Sequence, residues 1–140
     1  MTREELVKAY FKKDAFVEGM GAEVVELNAN RAIVRAKITP AHYNANGCAQ
    51  GGMLYTLADF AFALHANYLH PATVTQMGSI SYLKAAYTDE VTATATEKAR
   101  SGHNTVSEVV LRDKEENVVC ICTFNGFVKD VDPSEFEKKL

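Results

Sequence analysis

The sequence has little cysteine and proline and no tryptophan: 3 Cys and 3 Pro among 140 residues. An odd number of cysteines without framework spacing argues against a disulfide scaffold. Cys120 and Cys122 stand two apart in a strand-like run, with no further ligand at metal-site spacing. We therefore interpret them as small core residues and expect no metal site.

Two other classes of protein are disfavoured by what is missing. The net charge is only −3, with no Lys/Arg cluster, so there is no electrostatic footprint for nucleic acid. No segment approaches the roughly 18 uninterrupted apolar residues of a membrane helix; the longest candidate, residues 53–64, contains Asp59. The first 13 residues mix charges of both signs, unlike a secretory signal. We expect a cytoplasmic protein with no membrane partner.

The apolar share of 47% and the charged share of 24% are typical of a globular protein. No repeat, low-complexity tract or linker divides the chain, so we treat residues 1–140 as a single domain. Apolar residues at helical spacing predict a helix over residues 2–13, with Thr2 as its N-cap and Glu5 three residues later. This helix is expected on the surface.

From about Ala22 the apolar period changes to two, which predicts a hairpin up to Ile38 with one basic face. A long apolar helix follows from Gly51. Further strands are predicted over residues 73–83, 91–99, 105–112 and 118–128, and a short helical turn near the C-terminus. The last strand is apolar on both faces and should be central in the sheet. The order predicts an α+β domain in which an antiparallel sheet wraps around one buried helix.

The long helix raises the question of function, because it contains one acid, Asp59, among Leu, Ala and Phe. An ionised carboxylate in such a setting costs several kcal/mol unless it is paired or hydrogen-bonded. Asp59 therefore needs a structural partner or a function. The helix also begins with Gly51 and Gly52, which leave its first N–H groups open to an oxyanion or a polarised carbonyl.

Spacing along the helix predicts an assembly. Asp59 follows Gly51 by eight residues, which at 1.5 Å per residue is about 12 Å along the axis, too far for both to touch one carbonyl. If both act in one reaction, the same helix from two subunits must pack antiparallel about a two-fold axis. We expect a homodimer with two equivalent sites, and a pair of dimers is an open possibility.

A resemblance to a known family supports these hypotheses. The run "NANGCAQGGMLYTLADFAFA" and the later "SISYLKAAYTDEVTATA" resemble the PaaI-like branch of the hotdog-fold thioesterases. The pattern of that family is an Asn, a His-Gly-Gly and a downstream Leu-x-Asp, and the similarity covers roughly residues 15–128. It implies the hotdog fold and an acyl-CoA thioesterase without metal or cofactor, coenzyme A being part of the substrate. An acyl carrier protein thioester is an alternative substrate.

The resemblance implies roles for six residues by position. Asp59 matches the catalytic acid, as nucleophile or as general base for water. Gly51, or else Gly52, matches the backbone N–H that holds the carbonyl oxygen. Asn44 matches the loop Asn that positions the carbonyl or the water, and Thr75 falls where relatives often carry a hydroxyl that orients water. Gln50 departs from the pattern, because it stands where the family has His; its amide can still donate a hydrogen bond.

We expect the acyl chain to lie between the subunits, against Tyr55, Phe62 and Tyr82. The phosphates of coenzyme A should meet basic or turn residues at the mouth of the pocket. The candidates for these phosphate contacts are Lys84, Arg100, Gly102, His103 and Asn104.

Two other functions remain open at this stage. A non-catalytic acyl-CoA binding or regulatory module would have kept the fold, and the missing His is the feature that favours it. A hotdog dehydratase or hydratase is the third option, but the chain has neither the His-containing loop nor the Asp-x-Asn-Pro-x-His run of those relatives.

Overall fold

The computed structural model describes residues 1–140 and contains three α-helices and six strands. The helices are α1 (Arg3–Phe11), α2 (Ala15–Met20) and α3 (Gly51–Leu69). The strands are β1 (Glu23–Leu27), β2 (Ala32–Lys37), β3 (Thr73–Tyr82), β4 (Glu90–Ser101), β5 (Asn104–Asp113) and β6 (Val118–Val128). Two 3₁₀ helices span Pro40–His42 and Pro133–Lys139. None of the helices is long and apolar enough to cross a membrane.

The six strands form one sheet in the order β1-β2-β4-β5-β6-β3, and all neighbours are antiparallel. The sheet wraps around α3, which packs against five of its strands most closely and also meets β1. This arrangement confirms the predicted α+β hotdog fold. The last strand, β6, lies between β5 and β3, so its predicted interior position is also confirmed.

Helix α3 forms the centre of the core because its apolar residues extend over most of its circumference. Leu57, Ala61 and Leu64 are completely buried. Phe62 stacks on Phe124 of β6 with 5.3 Å between ring centroids. Burial of side chains of this size stabilises the fold by about 1.5–3 kcal/mol each.

Helix α1 begins with the capping box predicted for Thr2 and Glu5. The helix is only partly on the surface, because Leu6 and Val7 are buried. The guanidinium group of Arg3 donates to the carbonyl oxygens of Asn67, at 2.6 Å, and His70, at 2.9 Å. These bonds satisfy carbonyls that the C-terminal end of α3 leaves free.

The two edges of the sheet differ in a way that matters for assembly. Strand β1 is short and bulged, and Glu23 and Glu26 form ion pairs with Arg35 of β2 and with Arg31, which directly precedes β2. Two bases of the predicted basic face are therefore paired with acids. Strand β3 has ten residues, TVTQMGSISY, with no charge among them. Natural edge strands are usually short, charged or bulged. Strand β1 has all three features, whereas β3 has one irregularity, between Thr75 and Met77, but is long and uncharged.

Candidate active site

The N-terminal end of α3 leaves two N–H groups without an acceptor. Gln50 is the N-cap, and its side-chain Oε1 accepts a hydrogen bond from Met53 N at 3.1 Å. The N–H groups of Gly51 and Gly52 have no partner within the chain. These donors, at the positive end of the helix dipole, suit a developing negative charge on oxygen.

The loop before α3 is closed by Asn44. Its Oδ1 accepts from the N–H groups of Asn46, at 2.8 Å, and Cys48, at 3.3 Å. Its backbone N–H donates to Cys48 O at 2.8 Å. Asn44 thus fixes the turn that leads into the glycine pair.

Gly51 is required by a close contact. The hydroxyl of Tyr82, at the end of β3, donates to Gly51 O at 2.8 Å. A Cβ at Gly51 would lie 2.9 Å from that hydroxyl oxygen, and one at Gly52 would lie 2.7 Å from Gln50 Oε1. Burial raises the pKa of Tyr82, which keeps its phenol protonated as a donor.

Asp59 accepts a hydrogen bond from Thr75 Oγ1 at 2.8 Å. Burial has the largest effect on the Asp59 carboxyl and raises its pKa. The hydrogen bond from Thr75 lowers the pKa and the charge of Asp14 raises it, and the resulting pKa lies above the ordinary value. The carboxylate has a single hydrogen bond, and a base with a raised pKa accepts a proton more readily.

Strand β3 runs beside α3 and meets it at three positions. Thr75 contacts Asp59 and Tyr82 contacts Gly51. Between them the Tyr55 hydroxyl lies over Gly78, so closely that a Cβ at Gly78 would overlap it. The acid and the glycine end of α3 are therefore both adjacent to the same uncharged edge strand.

Three cavities follow α3 one after another. Cavity A, of about 610 Å³, contains Asn44, Lys84 and Tyr82 in its lining. Cavity B, of about 420 Å³, shares Gln50 and Gly52 with cavity A. Cavity C, of about 170 Å³, contains Asp59. None of these three cavities is lined by both Asp59 and Gly51. The spacing of the two residues along the helix predicts this separation within a single chain.

One predicted acyl contact has almost no accessible surface within the single chain. Phe62 is only 1% exposed and lines none of the three cavities, because it packs on Phe124 and reaches the space left by Gly126. A Cβ at Gly126 would lie 2.7 Å from the Phe62 ring. Phe62 is a core residue.

The predicted phosphate contacts are divided between the two ends of α3. Lys84 lies at the glycine end, in cavity A. The β4–β5 turn, residues 101–103, lies at the other end of α3, where Arg100 contacts His70, the C-cap of α3, at 3.0 Å and His103 contacts Val128 O at 2.7 Å. Gly102 and Asn104 belong to the same hairpin. Within one chain these residues do not share a site with Lys84.

Sequence reasoning missed the contribution of α2. Asp14 and Phe16 line cavity C together with Asp59, and Phe16 and Met20 line cavity B. The helix has only six residues, too few for a periodic signal, but its ends carry the usual residues: Asp14 as N-cap and Gly21 in a left-handed conformation.

The cysteines predicted to be core residues are confirmed as such. Cys120 and Cys122 are buried, and burial raises the pKa of the two thiols to about 11 and about 12, respectively. They therefore remain protonated and unreactive at neutral pH.

Comparisons with known proteins agree with this geometry. A protein of Archaeoglobus fulgidus named "Putative esterase" is 33% identical over 104 residues, which cover 74% of this chain and 68% of that protein. Acyl-coenzyme A thioesterase PaaI of Escherichia coli is 25% identical over 81% of each chain. The solved structure of the E. coli PaaI protein has the same fold, with a TM-score of 0.86 at 22% identity over 91% of this chain and 93% of that one.

A hypothetical thioesterase of Streptococcus pneumoniae, solved with coenzyme A, is 29% identical. It covers 88% of this chain and 96% of its own, with a TM-score of 0.79. Fold and relatives together define a hotdog-fold protein of the PaaI-like thioesterase class. Within that class, the chain belongs to the family described as "Domain of unknown function (DUF4442)", whose model matches residues 2–128.

Proposed function

We propose that this protein hydrolyses acyl-CoA thioesters at two equivalent sites, each shared by two subunits. Water adds to the thioester carbonyl carbon and its proton passes to the Asp59 carboxylate. The carbon–sulfur bond then breaks, the leaving sulfur takes up that proton, and the thiol and the carboxylic acid are released with Asp59 ionised again. Direct attack by Asp59, followed by hydrolysis of the resulting anhydride, gives the same products. A single turnover in ¹⁸O-water distinguishes the two routes: attack by water labels the carboxylic acid product, whereas direct attack followed by hydrolysis at the Asp59 carboxyl carbon leaves the label on Asp59.

The roles of the other residues follow from their contacts. The free N–H groups of Gly51 and Gly52 stabilise the oxyanion, and one such donor is typically worth about 2.7–4 kcal/mol in catalysis. Thr75 orients the Asp59 carboxylate. Because Gln50 Oε1 is held by Met53 N, the NH₂ group of its amide is free to donate toward the substrate. Lys84 and Asn44 lie in cavity A, on the coenzyme A side.

The observation that carries the proposal is the position of the acid and the glycine pair along one uncharged edge strand. If two β3 strands pair antiparallel about a two-fold axis, the two α3 helices lie side by side in opposite directions. Asp59 of one protomer then approaches the glycine end of its partner. Exposed Val74 (45%) and Met77 (61%) on β3 become buried in this arrangement. It also brings the hairpin with Arg100, Gly102, His103 and Asn104 toward the partner's cavity A.

A complementation experiment tests the shared site. Asp59→Asn and Gly51→Ala should each inactivate the protein, the first by removing the base and the second by displacing the hydroxyl of Tyr82. When the two variants are mixed and allowed to exchange subunits, half of the dimers become mixed and contain one intact site. Free-thiol release from acyl-CoA should then recover to about a quarter of the wild-type specific activity. No recovery after demonstrated exchange would contradict a site built from two chains.

Gln50 is the observation that favours a second candidate, a non-catalytic acyl-CoA binding module. Asp59→Ala separates the two functions. A catalytic Asp59 predicts lost hydrolysis with retained binding of coenzyme A, whereas a binding module shows no hydrolysis in the wild-type protein across short, medium, long and aromatic acyl-CoAs.

A further inference from the structure

The junction of cavities A and B is the place where the free donors of α3 meet open space. Gln50 and Gly52 line both cavities, and Gly52 N–H has no partner in the chain. If the thioester carbonyl binds there, as the proposed function requires, its two substituents must extend in opposite directions, one into each cavity.

The linings of the two cavities differ in chemistry. Cavity A has apolar residues such as Leu54 and Leu83, but it also includes the side-chain amides of Asn44 and Asn46 and the ammonium group of Lys84, which suit the amides and phosphates of coenzyme A. Cavity B has no Lys or Arg, and more of its lining is apolar or aromatic, beside His42, Gln50 and Thr56. The apolar and aromatic lining of cavity B is Phe16, Met20, Ala41, Tyr43 and Met53. The acyl group is therefore the substituent that fits cavity B.

Phe16 has an unusual position in this lining. It is 71% exposed, although its neighbours on α2, Val17 and Met20, are anchored in the core. Helix α2 is fixed by the Asp14 cap, whose Oδ1 accepts from Val17 N at 3.1 Å. The phenyl ring is thus held at the surface by a rigid support, where it borders both cavity B and cavity C.

We infer that the substrate has an apolar acyl group that lies in cavity B, with Phe16 as the residue that determines acyl specificity. This inference rests on the proposed function, because it uses the glycine N–H groups as the carbonyl site. Closure of the Phe16 ring over an apolar chain removes apolar surface of both from water, and each buried methylene group contributes favourably to binding. A short or charged acyl group does not gain this contact.

Kinetics with Phe16→Ala and Phe16→Leu test the inference. Phe16→Ala should raise KM for octanoyl-CoA and phenylacetyl-CoA about tenfold, equivalent to about 1.4 kcal/mol. The kcat for these substrates, and both KM and kcat for acetyl-CoA, should change little. Phe16→Leu should have an intermediate effect. Tyr87→Ala is the matched control, because Tyr87 is 70% exposed and lines none of the cavities A, B and C. Equal losses for acetyl and octanoyl substrates, or no loss, would overturn the inference.

A binding measurement separates this inference from the proposed activity. Isothermal titration calorimetry is carried out with S-octyl-coenzyme A, a thioether that cannot be hydrolysed, and with coenzyme A alone. The difference between the two binding free energies is the contribution of the octyl group. The wild type should bind the thioether more tightly, and Phe16→Ala should remove most of the difference. That result, in a protein without hydrolytic activity, would support the acyl site and refute the catalytic proposal. Hydrolysis with no effect of Phe16 on chain preference or binding would refute the acyl site alone.

Discussion

Asp59→Asn should make the folded protein more stable at neutral pH while it abolishes hydrolysis. Burial raises the pKa of Asp59 above its ordinary value, against the opposing effect of the hydrogen bond from Thr75. The ionised carboxylate is therefore the less favourable form in the folded chain. This cost is absent below the pKa of the unfolded chain, grows as the pH rises, and is complete above the raised pKa.

The magnitude follows from the two opposing effects on Asp59. A hydrogen bond to an ionised group is worth about 1.5–3 kcal/mol and one to a neutral group about 0.5–1.5 kcal/mol, so the variant loses part of the Thr75 bond. Because the pKa is raised, the cost of burying the charge, which the variant avoids, is larger than the part of the hydrogen bond that it loses. The difference is about 1.4 kcal/mol for each pH unit by which the pKa is raised. We therefore expect a gain in the free energy of unfolding and a higher Tm; for a domain of this size, about 1 kcal/mol corresponds to about 3 °C.

Urea denaturation at pH 3 and pH 7, at one fixed protomer concentration, measures the effect. The variant and the wild type should have similar stability at pH 3, and the variant should be more stable at pH 7. Asp89→Asn is the control: the Asp89 side chain is 72% exposed, and its replacement should change the stability by less than about 0.5 kcal/mol. An Asp59→Asn protein that is less stable at pH 7, or that still hydrolyses thioesters, would refute the reasoning.

Three further predictions concern the ends of the site. Gly51→Ala should lower kcat/KM, because the new methyl group meets the hydroxyl that packs there and shifts the N–H that it leaves in place; loss of a whole oxyanion donor, about 10²–10³-fold, is the upper bound. Gly19→Ala, where no atom lies within 4 Å, should leave the activity unchanged. Thr75→Val removes the bond that lowers the pKa of Asp59, so the acidic limb of the pH–rate profile should move to higher pH, and an unmoved limb would contradict the role of that bond. Gln50→Glu keeps an acceptor for the helix N–H but loses the amide donors, so its Tm should stay near that of the wild type while kcat falls; equal kcat values would show that Gln50 acts as a cap alone.

The long helix and the strands were predictable because their patterns are local. Apolar residues around α3 and alternation in β4 fix the element type within a few residues, and the structure places β6 at Val118–Val128, as predicted. Asp59 could be singled out because a charge in an apolar helix contradicts its surroundings.

The remaining features of the site depend on contacts between distant parts of the chain. The packing of Phe62 could not be predicted, because a helix that is apolar on all sides does not reveal which side meets Gly126, 64 residues later. The hairpin of Arg100 was placed beside Lys84 because the strand order, and therefore the end of α3 that each turn reaches, is not encoded in periodicity. Phe16 had no signal as a site residue, since an exposed aromatic in a short helix resembles any other surface residue.

The uncharged edge of β3 has a practical consequence for handling the protein. A protomer separated from its proposed partner presents the outward-facing backbone donors and acceptors of a ten-residue strand, together with two exposed apolar side chains, to any other open strand in solution. Dilution should therefore lower specific activity per chain, and reconcentration should restore it only while separated chains have not yet aggregated. Enzyme assays at nanomolar concentration should start from a concentrated stock and be read within the dissociation time.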